Sequence, residues 1–252
     1  MRDGGGKLGA VPRTSTPSST TAGVTPAAED CLKTVYAAGE WSDAKITLSM
    51  LAQSMGVSAS TASEAVRKLT DAGLLRHERY GGVELTDEGR SRALAVVRRH
   101  RLLETFLVAD LGYSWDEVHE EAEVLEHVVS DRMLDRLDAR LGHPERDPHG
   151  DPIPRADGTV PQPGAHNLSD VPEGGVGVVA RISDADPDVL RYFAELGIGL
   201  DLRLEVLQRR EFAGTTVVRL GAGREVDLGD PAVAAIWVLP GRGDVPEQGG
   251  AA

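Results

Sequence analysis

Gly56-Val57-Ser58-Ala59-Ser60-Thr61-Ala62-Ser63-Glu64-Ala65-Val66-Arg67-Lys68-Leu69 decides how the first part of this chain folds. Leu48 to Met55 reads as a short helix stopped by Gly56, and Ser58 opens a second one as its N-cap, with Thr61 at the position where a capping box prefers Glu or Gln. Two short helices across a Gly-Val turn spell a helix-turn-helix. The second carries Ala62, Ala65, Val66 and Leu69 on one face and small polar residues on the other. Small side chains at a helix N-terminus let the backbone approach base edges and phosphates. Upstream, Leu32, Val35 and Tyr36 give a helix that starts near Ala27 and ends at Gly39. Downstream, Gly81-Gly82 separates two alternating runs between Leu74 and Thr86, a hairpin wing with Arg76 and Arg79 free for phosphate. Ser58, Ser60, Thr61, Ser63, Lys68 and Arg79 are the expected DNA contacts, mostly positioning ones. Ordinary helix surface is the competing reading of the serines and threonine.

The middle of the chain carries a second pattern. Thr86-Asp87-Glu88-Gly89 caps a helix expected to run to about Asp110, and Gly112 breaks it. Ser114-Trp115-Asp116-Glu117 then has the form of a cap, followed by one long helix expected to reach about Leu141. Its sequence His119-Glu120-Glu121-Ala122-Glu123-Val124-Leu125-Glu126-His127 places Glu123, Glu126 and His127 on one patch, because residues three and four apart share a helix face. Oxygen and imidazole donors without a thiolate suit a hard or borderline divalent ion. His100 and Glu104 form a further pair at helical spacing. A solvated acidic face is the bland alternative, but Val124 and Leu125 make the helix amphipathic. The zinc-protease pattern is absent, since Glu123 stands four residues after His119. Cys31 reads as a small buried hydrophobe rather than a ligand.

A net charge of −13 argues against a protein that coats nucleic acid generally, while leaving room for a segregated DNA-binding module. The single cysteine excludes an intramolecular disulfide and suits a reducing cytoplasm, the expected location. Neither a leader with an apolar core nor a membrane-spanning run is expected. Residues 1–26 are a Gly/Ser/Thr/Pro-rich tail expected to be disordered; 27–92 form the winged helix; 93–141 the helical part; 142–172 a Pro/Gly-rich linker. Within that linker, Asp147-Pro148-His149-Gly150-Asp151-Pro152-Ile153-Pro154 is too particular to be merely flexible. Residues 173–240 alternate apolar and polar in short runs around a helical piece from Pro187 to Leu196, which implies a small β-barrel, and 241–252 are a flexible tail.

Taken in order, Cys31-Leu32-Lys33-Thr34-Val35-Tyr36, Arg99-His100-Arg101-Leu102-Leu103-Glu104, the His119–His127 run and Gly150-Asp151-Pro152-Ile153-Pro154 make the chain from about Ala27 onward resemble the diphtheria-toxin-repressor family of metal-dependent transcription regulators. The resemblance implies an α+β fold: an N-terminal winged helix-turn-helix, a helical metal-binding and dimerisation domain, and a C-terminal small SH3-like β-barrel. It implies a primary metal site at Asp30, Glu123, Glu126 and His127, and an ancillary one at His100, Glu104 and His119 with Asp184, or Asp186 or Asp188, from the last domain. Iron-responsive members carry Met and Cys where Asp30 and Glu123 stand; carboxylates suit Mn²⁺ and place this chain with the manganese-responsive branch. Fe²⁺ is the alternative ion. The expected partners are double-stranded operator DNA and a second copy of the chain, with no membrane, no small organic substrate and no enzymatic role; target genes are those of manganese uptake. Repulsion among ion-free carboxylates is expected to leave the first helix loose until the ion ties it down. Two positions depart from the family pattern: Lys33 replaces a Glu ligand of some short manganese sensors, and Glu64 a DNA-facing Gln of iron-type members, so the operator should differ. The rival readings are a two-ion hydrolase, which lacks an evident nucleophile, and a sensor of an organic ligand, which lacks the aromatics to line a pocket.

Overall fold

The computed structural model of the chain describes residues 25–42, 44–78, 81–221 and 223–241. The tail expected at 1–26 lies outside them except for its last two residues, as do Arg79, Tyr80 and nearly all of the tail expected at 241–252. Helix α1 (Pro26–Glu40) starts on a proline, whose missing N–H costs nothing at a helix start, and buries Cys31, Leu32, Val35 and Tyr36. In α2 (Leu48–Ser54) the Thr47 hydroxyl accepts from the Met50 N–H at 3.2 Å. Gly56 turns the chain at φ +62°, a region costly for any side chain, and the Ser58 hydroxyl then accepts from the Thr61 N–H at 3.1 Å to start α3 (Ala59–Asp71). Strands β1 (Leu75–His77) and β2 (Val83–Leu85) pair antiparallel as the wing. Leu51, Val66, Leu69, Leu74 and Val83 share one core with the apolar face of α1.

Helix α4 (Asp87–Leu111) is the spine. Its 25 residues span about 37 Å at 1.5 Å per residue. Its first half, through Ala93, Leu94 and Val97, completes the winged-helix core; its second half, through Leu103 and Leu107, packs on Val118, Ala122 and Leu137. The single long helix expected from about residue 118 to 141 is instead two, α5 (Val118–Leu125) and α6 (Asp131–Arg140). The break has a local cause. Val128 and Val129 are consecutive β-branched residues, and the Ser130 hydroxyl accepts from the Met133 N–H at 3.3 Å, capping a new helix. Glu126 and His127 therefore lie in the turn that closes α5 rather than in mid-helix.

The C-terminal part is a six-stranded antiparallel sheet in the order β3 (His166–Asn167), β8 (Ile236–Pro240), β4 (Val176–Ile182), β5 (Arg203–Arg210), β6 (Thr215–Leu220), β7 (Arg224–Gly229). It curls in SH3-like fashion around Leu168, Phe193, Val206, Leu228 and Ile236, with β3 and β7 left as edges among the described residues. Helix α7 (Pro187–Leu196) occupies the expected span; α8 (Asp230–Ala234), β3 and β8 were not foreseen.

These parts are joined through the stretch 147–154. Asp147, His149, Asp151 and Ile153 are buried there. Asp151 accepts from the Trp41 indole at 2.7 Å and from the Arg181 Nε–H at 2.6 Å, and the Arg181 guanidinium lies 4.8 Å from the Trp41 ring and 4.3 Å from the Trp237 ring. One carboxylate and one sandwiched cation thus hold the end of α1, the connecting stretch and strands β4 and β8 together. Gly150 makes this approach feasible: its φ is +94°, and a Cβ there would stand 2.0 Å from the Ala180 carbonyl oxygen. Gly150→Ala should therefore cost about 3 kcal/mol or more and lower the thermal unfolding midpoint; an unchanged midpoint would show that the stretch docks elsewhere.

Candidate metal centre

The expected ligands collect where α1 meets the end of α5. Asp30 Oδ1 lies 2.8 Å from His127 Nε2, and Glu126 Oε1 lies 3.6 Å from the same nitrogen. One ligand atom from each of these three residues falls within 4.8 Å of the others. The other ring nitrogen of His127, Nδ1, lies 3.1 Å from Glu29 Oε2, and Glu29 is in turn paired with Arg99 at 3.1 Å. A carboxylate on one imidazole nitrogen fixes the ring and leaves the other to face an ion. Burial pushes the Asp30 carboxyl above its usual range, against the pull of His127 and Lys33.

Glu123 is turned away from this trio. Its Oε1 accepts from the Lys33 ammonium at 2.6 Å and stands 3.4 Å from His119 Nε2. Lys33 donates equally to Glu126 Oε1, at 2.7 Å. The carboxylates expected to repel one another are neutralised by a cation of the chain itself. Burial opposes charge on the Glu126 carboxyl, yet the hydrogen bond from His100 and the charges of His100 and Lys33 hold it below its usual range.

His100, Glu104, His119 and Asp184 form a second cluster beside the first. The wholly buried Glu126 links them, its Oε2 lying 2.6 Å from His100 Nδ1. His100 Nε2 stands 3.0 Å from Glu104 Oε1 and 3.2 Å from His119 Nδ1, and His119 Nδ1 is 3.4 Å from Asp184 Oδ2. Asp184 is thus the residue the C-terminal sheet brings here; Asp186 caps α7, accepting from the Asp188 N–H, and Asp188 pairs with Arg191. Burial disfavours charge on His100, but the Glu104 carboxylate and hydrogen bonds to Glu104 and Glu126 push it up to about 9. His119 goes up to about 10, against burial, through Asp184 and Glu104. The Glu104 and Asp184 carboxyls are depressed by the same pairs.

Two residues not foreseen as ligands extend this cluster. Glu104, Asp147 and His149 bring ligand atoms within 4.8 Å of one another, all three buried. His149 donates through Nε2 to the Trp115 carbonyl, 2.7 Å away, so Nε2 carries a proton; its buried Nδ1 has no hydrogen-bond partner. Burial, with the Asp151 and Glu104 charges, raises the Asp147 carboxyl to about 8. Like His149 Nδ1, Asp30 Oδ1 has no hydrogen-bond partner: though 2.8 Å from His127 Nε2, it is not aligned to accept a hydrogen bond from it. Buried acceptors without a donor are the mark of a donor set built for a cation. The donor chemistry fits a divalent ion at both clusters.

Three family models cover nearly the whole described chain. Residues 24–83 match the iron-dependent repressor N-terminal DNA-binding domain, 86–155 the iron-dependent repressor metal-binding and dimerisation domain, and 166–240 the FeoA domain. The iron-dependent repressor IdeR of Mycobacterium bovis is 36% identical over 180 residues, which cover 67% of this chain and 78% of the relative. The chain belongs to the iron-dependent repressor family. It is thereby a metal-dependent transcriptional regulator and not an enzyme. Among solved structures, a manganese-dependent transcriptional repressor in complex with manganese is 62% identical, with a TM-score of 0.82 over 84% of this chain and 99% of that one. The manganese regulator SloR is 35% identical, with a TM-score of 0.74 over 86% of this chain and 100% of that one.

The helix-turn-helix, the part that would read DNA, shares a core with α1. Ser58, Ser60, Thr61, Ser63 and Lys68 are all exposed on α3. The Ser58 hydroxyl is engaged as the cap and contacts the Ser60 and Thr61 hydroxyls at 2.8 and 2.9 Å. Lys68 pairs with Glu64 at 2.8 Å, so its ammonium is partly spent within the helix. Arg76 is exposed on β1; Arg79 lies outside the described residues.

An imidazole must shed its proton to ligate a metal ion. His100 and His119, raised to about 9 and about 10, carry that proton at neutral pH. Their ion pairs stabilise the ion-free fold below the unfolded histidine value of about 6.5 and lose that contribution as pH rises through about 9 to 10. Uptake of a divalent ion by this cluster should accordingly release protons, and affinity should climb from pH 6 to 9. Calorimetry in two buffers of different ionisation enthalpy measures the release; identical heats in both would show that these rings are already neutral.

Proposed function

We propose that this chain is a Mn²⁺-activated repressor that binds operator DNA as a homodimer and controls manganese-uptake genes. The observation that carries this reading is the position of Asp30, Glu126 and His127: one donor on the helix that leads into the reading head, two at the end of α5. A bound divalent ion supplies a compact double positive charge there. Asp30, Glu126 and His127, with Glu123 on release from Lys33, are the residues that would hold it; His100, Glu104, His119, Asp184, Asp147 and His149 would make the ancillary site. Anchored at Asp30, α1 sets the orientation of α2, α3 and the wing, with which it shares a core. In a dimer, two recognition helices then meet successive major grooves at a fixed separation.

The preference for manganese rests on donors. Carboxylate and imidazole surround both clusters, and the one thiol, Cys31, is fully buried and pushed up to about 11, chiefly by burial and then by the Asp30 charge. The solved relatives named above are manganese regulators by name, while the family models and IdeR are named for iron. Fe²⁺ binds such donors with similar affinity, so Fe²⁺ is the second reading. Leu111, Val124, Val128 and Met133 are apolar and exposed on the helical part, which supports self-association through that part of the chain. No helix among the described residues is long and apolar enough to cross a membrane; a cytoplasmic location is part of this proposal, as a binder of operator DNA requires. In a gel-shift assay, retention of operator DNA should rise with Mn²⁺ and drop by about a hundredfold or more in Glu126→Ala, as for loss of a metal ligand or its support. Retention independent of Mn²⁺ would overturn the reading.

A further inference from the structure

Lys33 is a cation built into the place where the reading above puts an ion, and it rests on that reading. Its ammonium donates to Glu123 Oε1 at 2.6 Å and to Glu126 Oε1 at 2.7 Å, and its side chain is only 13% exposed. The Glu126 oxygen it holds is the one nearest His127 Nε2. The contact crosses from α1 to α5 and its closing turn, so it ties together the same two elements as the Asp30–His127 contact. Both carboxylates outweigh the effect of burial and keep the lysine charged. A lysine arm is a flexible stem ending in a point charge, whereas metal–ligand bonds demand donors at fixed short distances.

We propose that Lys33 is an internal counter-cation which a divalent ion must displace from Glu123 and Glu126, so that activation is an exchange of cations at a helix joint that is already closed. Two consequences follow from the geometry. The lysine lowers affinity for the ion, because the carboxylates must leave one cation to receive another, and so sets the concentration at which the chain responds. It also holds α1 against α5 in the ion-free chain, so ion-free α1 is tethered rather than loose.

Lys33→Met keeps the length and apolar stem and removes the charge. Calorimetry, or competition with a coloured chelator, should give Mn²⁺ binding about tenfold tighter than wild type, the worth of one charge-assisted contact. Hydrogen exchange of α1 amides in the ion-free variant should be faster than in wild type. Lys33→Arg, which keeps a cation, should stay near wild type in both readouts. Unchanged affinity and unchanged α1 exchange in Lys33→Met would overturn the inference. Should Lys33→Met fail to fold by circular dichroism, Lys33→Gln takes its place with the same expectations. If wild-type protein takes up no Mn²⁺, the functional reading fails separately, and α1 exchange still decides whether Lys33 holds the joint.

Discussion

A carboxylate wholly removed from water has to be met by positive charge, and Glu126 is such a carboxylate at the meeting of α1, α4 and α5. One of its oxygens faces Lys33 and His127 and the other faces His100. Whatever cation answers it fixes how the helix that carries the reading head sits on the helical part. The two donor clusters are therefore electrically continuous, because Glu126 touches Lys33 and His127 through one oxygen and His100 through the other. Without an ion, the chain meets the demand with Lys33 and the protonated imidazole of His100. With one, it must give up at least part of that set.

A second junction transmits position rather than charge. Asp151 and Arg181 join the end of α1, through Trp41, to the C-terminal sheet, through Trp237. Arg181 sits three residues before Asp184, which reaches His119. The end of β4 is thus fastened both to the end of α1 and, three residues on, to His119 of the second cluster.

Much of this was legible in the residues. Gly56 and Ser58 marked the turn and cap of the helix-turn-helix, Thr86 and Gly112 bounded α4, and Pro187 to Leu196 gave α7, because caps and φ-positive glycines act locally. The break between α5 and α6 was missed because no Gly or Pro announces it; the signal was Ser130, an N-cap inside an otherwise continuous pattern. Strand β3 has only two residues and no periodicity to read. Eight residues named from the sequence as ligands do gather at the clusters, but their partition was not readable: Glu123 sits with Lys33 and His119 rather than with Asp30. Spacing along a helix shows which side chains share a face, not which cation from another helix arrives between them. His149 and Asp147 lay in a stretch already marked as unusual, yet their burial against Glu104 is a tertiary fact. Glu29 adjoins Asp30, and only the fold sets it behind His127.

Anomalous diffraction at the manganese edge, from crystals of the chain grown with Mn²⁺, tests the central claim most directly. The expected result is a peak within bonding distance of Asp30, Glu126 and His127, with the Lys33 ammonium moved off Glu126. A peak remote from those three residues, or Lys33 still seated on Glu126 beside a filled site, contradicts it.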